Sequence, residues 1–338
     1  MFPIVKYCII IKEELIDGQG KMNIKLAALV FLITIANIFS CGSKQSISAV
    51  TAEDEANIEP LELIVPEPAA KTRAQQVMEA LFEAYPGVIE KVEYRDDDWA
   101  LLLKGKWYYY AEGRLLPQER REHFTNYRSL SFYPYHAELP PWRERTSEET
   151  ERFRGMTNNR RQSTTRRSSY FLDTLWQASG RIETENSLQR MVFFGRQIRV
   201  HRSIVENLTL IEAQIRNAGR TNSEVQTWIN SIGTVEGWHW RNIADTQSRS
   251  YHSYGLAVDI LPRTIGRRQT YWLWTSQYRE DWWNVSYSER YHPPAIVVSV
   301  FEDHGFIWGG KWMLFDTMHF EYRPEILILN GFSVITAN

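Results

Sequence analysis

The chain has 338 residues, with 39 Lys and Arg against 41 Asp and Glu and a formal net charge of −2. That length accommodates two modest domains, and so small a charge leaves no overall field to recruit nucleic acid. The two cysteines, Cys8 and Cys41, both precede residue 42, so the remainder of the chain holds no disulfide.

Met22-Asn-Ile-Lys25 is a short basic start, and Leu26 to Phe39 is an apolar run too short for a comfortable membrane span. It ends in Ile38-Phe39-Ser40-Cys41-Gly42, which resembles a relaxed bacterial lipoprotein signal. In that reading Cys41 is lipidated and becomes the mature N-terminus, anchoring an exported envelope protein to the membrane. Phe39 departs from the strict pattern, so plain secretion stays open. Met22 is an alternative initiator, which makes 1–41 an upstream extension plus signal. Residues 42–70 are rich in Ser, Ala, Glu and Pro and read as a flexible tether.

From Ala74 the apolar residues Ala74, Val77, Met78, Leu81, Phe82 and Tyr85 follow helical spacing until Pro86-Gly87 stops it. Trp99–Leu103, a Lys104-Gly105 turn and Lys106–Tyr110 predict a hairpin, and Glu112-Gly113 turns the chain again. Residues 71–140 are therefore expected to form a small α+β module. The Arg- and Glu-rich stretch 141–175 reads as a solvated connector, and residues 176–338 as a second domain. In that domain, helical patterns run through Leu188–Phe194 and from Ile204 through Leu208, Ile211 and Ile215 to Gly219. Thr221-Asn-Ser223 caps a further helix around Val225–Ile229. Pro293-Pro294 opens one that Gly305 closes, with His304 as a helix-end cation. Phe306–Trp308 and Met318–Tyr322 read as short strands. Several helices and few strands, without β-α-β alternation, predict α+β: a small antiparallel sheet flanked by helices. The aromatic stretch Tyr271–Tyr291 is divided between core packing and the wall of a cleft.

The most informative residues are His252-Ser-Tyr-Gly255-Leu-Ala257-Val-Asp259 and Asp316-Thr-Met-His319. His252, Asp259 and His319 offer two imidazoles and a carboxylate, a set suited to a catalytic Zn²⁺ with an open fourth position. An acid in the run Leu-Ala-Val-Asp-Ile is otherwise a costly unpaired buried charge. Asp316 is a spare carboxylate where a general base would stand; the alternative is an acid that orients a ligand.

These residues resemble the zinc D,D-carboxypeptidase and L-alanyl-D-glutamate peptidase family of cell-wall hydrolases. Its Ser-x-His-x-x-Gly-x-Ala-x-Asp signature is matched from Ser250 through Asp259, and its acid three before the last His by Asp316 and His319. Trp308-Gly309-Gly310, Trp312 and His319-Phe320-Glu321 look most like the L-alanyl-D-glutamate branch. The resemblance implies a hedgehog- or D,D-peptidase-like fold with the metal on the sheet, and hydrolysis of peptidoglycan stem peptides. It also implies an upstream Arg, for which Arg241 is the candidate, steadying the oxyanion or a substrate carboxylate. Ser250 and Trp308 are the substrate contacts it implies, with an ordinary turn residue as the alternative for Ser250. The competing reading is a non-catalytic zinc-containing envelope binding protein on the same scaffold; an intact Asp316 counts against it, because a pure binder needs no base.

Overall fold

A computed structural model describes residues 70–139, 141–162 and 164–335. The signal-like segment, Cys41 and the tether up to residue 69 lie outside the described residues. Helix α1 (Arg73–Ala84) starts where the Thr72 hydroxyl accepts the Gln75 N–H at 3.2 Å, and it buries Val77, Met78, Leu81 and Ala84. Strands β1 (Ile89–Arg95), β2 (Asp98–Leu103), β3 (Lys106–Tyr109) and β4 (Leu116–Pro117) form an antiparallel sheet in that order. The expected hairpin is present. Lys104 and Gly105 both take positive φ (49° and 73°), the two-residue turn geometry whose twist matches the strands.

A short pair follows, β5 (Tyr127–Arg128) with β6 (Arg166–Arg167), the only parallel pairing among the described strands. Between them the Arg-rich connector carries helix α2 (Ser147–Gln162), whose Phe153 is 2% exposed. Next come α3 (Tyr170–Trp176), α4 (Arg181–Ser187), β7 (Leu188–Phe193) and β8 (Arg196–His201). The helix expected over Leu188–Phe194 is instead the first strand of this hairpin. Phe194 and Gly195 turn it with φ 45° and 75°, and the β7–β8 ladder of paired residues outweighs the apolar spacing.

Helices α5 (Val205–Gly219) and α6 (Ser223–Ser231) appear as read, the latter capped by Asn222, whose side chain accepts the N–H groups of Glu224 and Val225. Then follow β9 (Ile232–Glu236), β10 (Ala257–Pro262), α7 (Trp272–Thr275), α8 (Ala295–Asp303), β11 (Phe306–Trp308), β12 (His319–Tyr322) and α9 (Pro324–Leu329). His304 caps α8 but is 1% exposed, and burial pushes its pKa below the ordinary value, so it is not the helix-end cation expected.

The site sheet has the order β11-β12-β10-β9, antiparallel throughout. One face turns Val258, Ile260 and Phe320 into the core, where Phe320 stacks on Phe301 at 3.9 Å between centroids. That core is continuous: Val77, Leu81 and Leu101 belong to the same apolar cluster as Phe301, Phe306 and Phe320. The described residues lie in one compact unit, Ala69–Asn338. Among them, no helix is long and apolar enough to cross a membrane. Trp272, Trp282 and Trp283 pack with Phe153 and Phe315 in a second cluster, while Trp274 and Tyr278 are exposed.

Candidate metal centre

Strand alternation builds the site. In the β10–β12 ladder Asp259 is directly opposite His319, and Ala257 is opposite Glu321. Directly opposed residues project from the same face, as do residues two apart on one strand. Asp259, His319 and Glu321 therefore share the face turned away from the Phe320 core, and Ala257 leaves room beside Glu321. His252 comes from the 3-10 turn Tyr251–Tyr254, which Ser250 caps by accepting the His252 N–H at 3.3 Å. Gly255 ends that turn with φ 73°. A Cβ there would stand 2.6 Å from Leu188 and 2.7 Å from the His201 backbone nitrogen, so the signature glycine is required both by conformation and by close approach.

The three ligand-type side chains converge, with donor atoms all within 4.8 Å of one another. His252 Nε2 lies 3.2 Å from His319 Nδ1 and 3.1 Å from Asp259 Oδ1, and His319 Nδ1 lies 2.8 Å from the same oxygen. The outward nitrogens are already occupied. His252 Nδ1 sits 2.6 Å from the Gly237 carbonyl, and His319 Nε2 sits 3.1 Å from Glu321 Oε2. Both of these partners are acceptors, so each outward nitrogen carries a proton, and in its neutral form each ring turns a lone pair inward. Two lone pairs and a carboxylate aimed at one point require a cation. A Zn–N bond of about 2.0–2.1 Å makes the edge of a tetrahedron about 3.3 Å, close to the observed N···N separation. The donor set fits zinc.

Without a metal the same demand falls on a proton. Burial opposes charge on His319, but hydrogen bonds and the charges of Asp259 and Glu321 outweigh it and raise its pKa to about 10. Burial likewise opposes ionisation of Asp259, yet the two imidazoles hold its carboxyl far below the usual range.

Asp316 enters from the loop between β11 and β12. Its N–H donates to the Gly309 carbonyl at 3.0 Å, and its Oδ1 is buried without a partner. Burial pushes its carboxyl up to about 7, with His319 opposing the shift and the Asp259 charge adding to it. Arg241 is 42% exposed, and its guanidinium stands 4.0 Å from Asp259 Oδ2. The structure thus brings His252, Asp259 and His319 together, with Arg241 beside Asp259 and the Asp316 carboxyl near enough to feel the charges of His319, Asp259 and Arg241. Ser250 is 5% exposed and caps the His252 turn. Trp308 is 4% exposed in the core, its indole N–H donating to the Thr317 carbonyl at 2.9 Å. The glycines after it are steric: a Cβ on Gly309 would come within 2.5 Å of the Asp316 carbonyl, and one on Gly310 would overlap the Trp308 ring.

Glu321 is the residue that sequence reasoning left without a role. It is the inner end of a buried series. Arg323 lies 3.5 Å from Glu321 and pairs with Glu325, which accepts from the Tyr85 hydroxyl of the residue after α1 at 2.7 Å. The signal for Glu321 was its place two residues after His319 in a strand.

Residues 244–322 match the family model described as D-alanyl-D-alanine carboxypeptidase, a span that contains both motifs and Glu321. The match supports a hydrolase of the carboxypeptidase type that acts on peptidoglycan. Residues 77–132 match a domain family of unknown function. No curated protein and no solved structure matches the chain.

Proposed function

We propose that this protein is a zinc metallopeptidase of peptidoglycan stem peptides, acting as a D,D-carboxypeptidase or an L-alanyl-D-glutamate endopeptidase. The observation that carries this reading is the inward pair of imidazole lone pairs beside Asp259, with both outward nitrogens held by acceptors. His252 Nε2, His319 Nδ1 and Asp259 hold the zinc on a D,D-peptidase-like scaffold. Bound there, zinc supplies a water activated near neutral pH and a Lewis acid for a carbonyl. Asp316, a buried carboxylate with an unpartnered oxygen, would take the proton from the attacking water and deliver it to the leaving amine. Arg241, partly exposed beside Asp259, steadies the oxyanion or a substrate carboxylate. Lipidation at Cys41 places the enzyme in the cell envelope.

The deciding experiment is mass spectrometry of muropeptides digested with zinc-loaded protein. Loss of a terminal D-alanine assigns the carboxypeptidase, and cleavage after L-alanine assigns the endopeptidase. Binding without cleavage across a panel of stem peptides would overturn the reading in favour of a binding protein.

A further inference from the structure

A cavity of about 450 Å³ lies between the Thr164–Ser169 segment and the loop 242–249 that leads into the His252 turn. That volume is within the range of small-ligand sites. Its floor includes Tyr251 and Tyr254, which flank His252 in the same turn, so the cavity backs onto the metal centre without sharing its ligands.

Its chemistry is one-sided. The lining holds three guanidinium groups, Arg166, Arg167 and Arg249, with Ser168, Asn242 and Gln247, and no carboxylate side chain. Arg249 is partly neutralised by Asp173 at 2.7 Å. The Arg167 guanidinium donates to a neutral hydroxyl, Ser131 Oγ at 2.9 Å, its backbone N–H donates to Ser248 Oγ at 2.9 Å, and among the described residues no ion pair within 4.0 Å engages Arg166 or Arg167. Two donors lack an acceptor altogether. The Ser168 hydroxyl is buried with no partner, its residue 2% exposed, and the Arg249 Nε–H is buried and unpaired. Buried donors left open cost free energy; of the three guanidinium groups, Arg249 faces Asp173 and Arg167 feels the Glu321 charge, so the lining keeps a net positive charge. An oxyanion in the cavity would face the guanidinium groups of its lining, because a guanidinium fork matches a carboxylate or a phosphate.

We infer that this cavity is a binding site for an anionic oxygen group, a carboxylate or a phosphate, carried by a small ligand or by the end of a larger one. Residues of the Arg-rich connector form one wall, which gives that segment a recognition role beyond joining two halves. Anion binding here and peptide cleavage are separable properties.

The test is calorimetric titration of the full-length protein with inorganic phosphate and, separately, with glutarate, at ionic strength fixed by sodium chloride. At least one probe should give a single saturable event, identical in zinc-loaded and chelated protein. Preference for phosphate or for glutarate identifies which of the two groups the natural ligand bears. Arg167→Gln should weaken the event at least about tenfold, the scale of one lost charge-assisted contact. The exposed Arg166→Gln should weaken it in the same direction and serves as the safeguard if Arg167→Gln fails to fold. Arg220→Gln, a surface arginine outside the lining, should leave it unchanged. No saturable event with either probe would overturn the inference. So would phosphate binding only in the presence of zinc, or equal weakening by Arg220→Gln.

Discussion

At the scale of single residues, Asp316 is the position at which the proposed chemistry can be tested apart from metal binding. Asp316→Asn keeps the shape of the side chain and leaves His252, Asp259 and His319 intact. Zinc content should stay at the wild-type level while stem-peptide turnover falls at least about a hundredfold, as expected for a general acid–base group. KM should change little, because the base acts on the transition state. Loss of zinc from this variant would make Asp316 a ligand or its support. Glu321→Gln probes the opposite role. It weakens the acceptor of the His319 Nε2 proton, 3.1 Å away, and should lower zinc affinity by about 10–100-fold, measured by competition with a chelating dye. Unchanged affinity would make Glu321 irrelevant to the metal.

The titration of the centre has a definite sign. The pKa of His319 is raised in the folded, metal-free protein, so its contribution to stability is complete below its ordinary value, about 6.5, and is lost as pH climbs toward about 10. Asp316, raised to about 7, acts in the same direction. Asp259 and Glu321, held below their ordinary values, stay ionised across that range and add no slope. Chelated protein should therefore melt at progressively lower temperature from about pH 6.5 to about pH 9. Zinc-loaded protein should fall less, because the metal replaces the proton. A chelated Tm that is flat over this interval would contradict the assigned network.

At the scale of elements, the cluster of His252, Asp259 and His319 was legible because its members are crowded into two short motifs. Their packing was not. Gly255 shows the difference: its place in the signature is visible in sequence, but the reason for it, contact with Leu188 and the His201 backbone, depends on the β7–β8 hairpin. The first strand of that hairpin reads as helix in sequence, since Leu188, Met191 and Val192 fall at helical intervals and only Phe194-Gly195 signals the turn. Gly255→Ala should destabilise the protein by about 1–3 kcal/mol through the positive φ and the rigid backbone contact. Urea denaturation measures the loss, and a change within error would show that the turn can relax. The strand β1 was missed because its side chains are mostly polar, so it lacks an apolar period.

At the scale of the whole molecule, the described halves share one apolar cluster, and Tyr85 reaches Glu325 across it. Such continuity cannot be read from sequence, because each half has a plausible pattern of its own. Expression of residues 176–338 alone should accordingly yield aggregated or protease-sensitive protein: it would expose the surface that α1 covers and leave the Glu325 carboxylate without its Tyr85 donor. A soluble, cooperatively melting fragment that retains zinc would show the halves to be independent.

The direct pairing of Asp259 with His319 also bears on how the protein reaches its native state. The two partners lie 60 positions apart in the chain, and a one-residue slip of β12 against β10 would turn His319 into the core and Phe320 toward the metal. Closing so long a loop is among the slower entropic steps of folding. The cluster is therefore incomplete until the register is correct, and on the zinc reading proposed above, uptake of the ion during refolding would be a clock for that pairing: it would be captured late, and only by chains whose central ladder has already aligned.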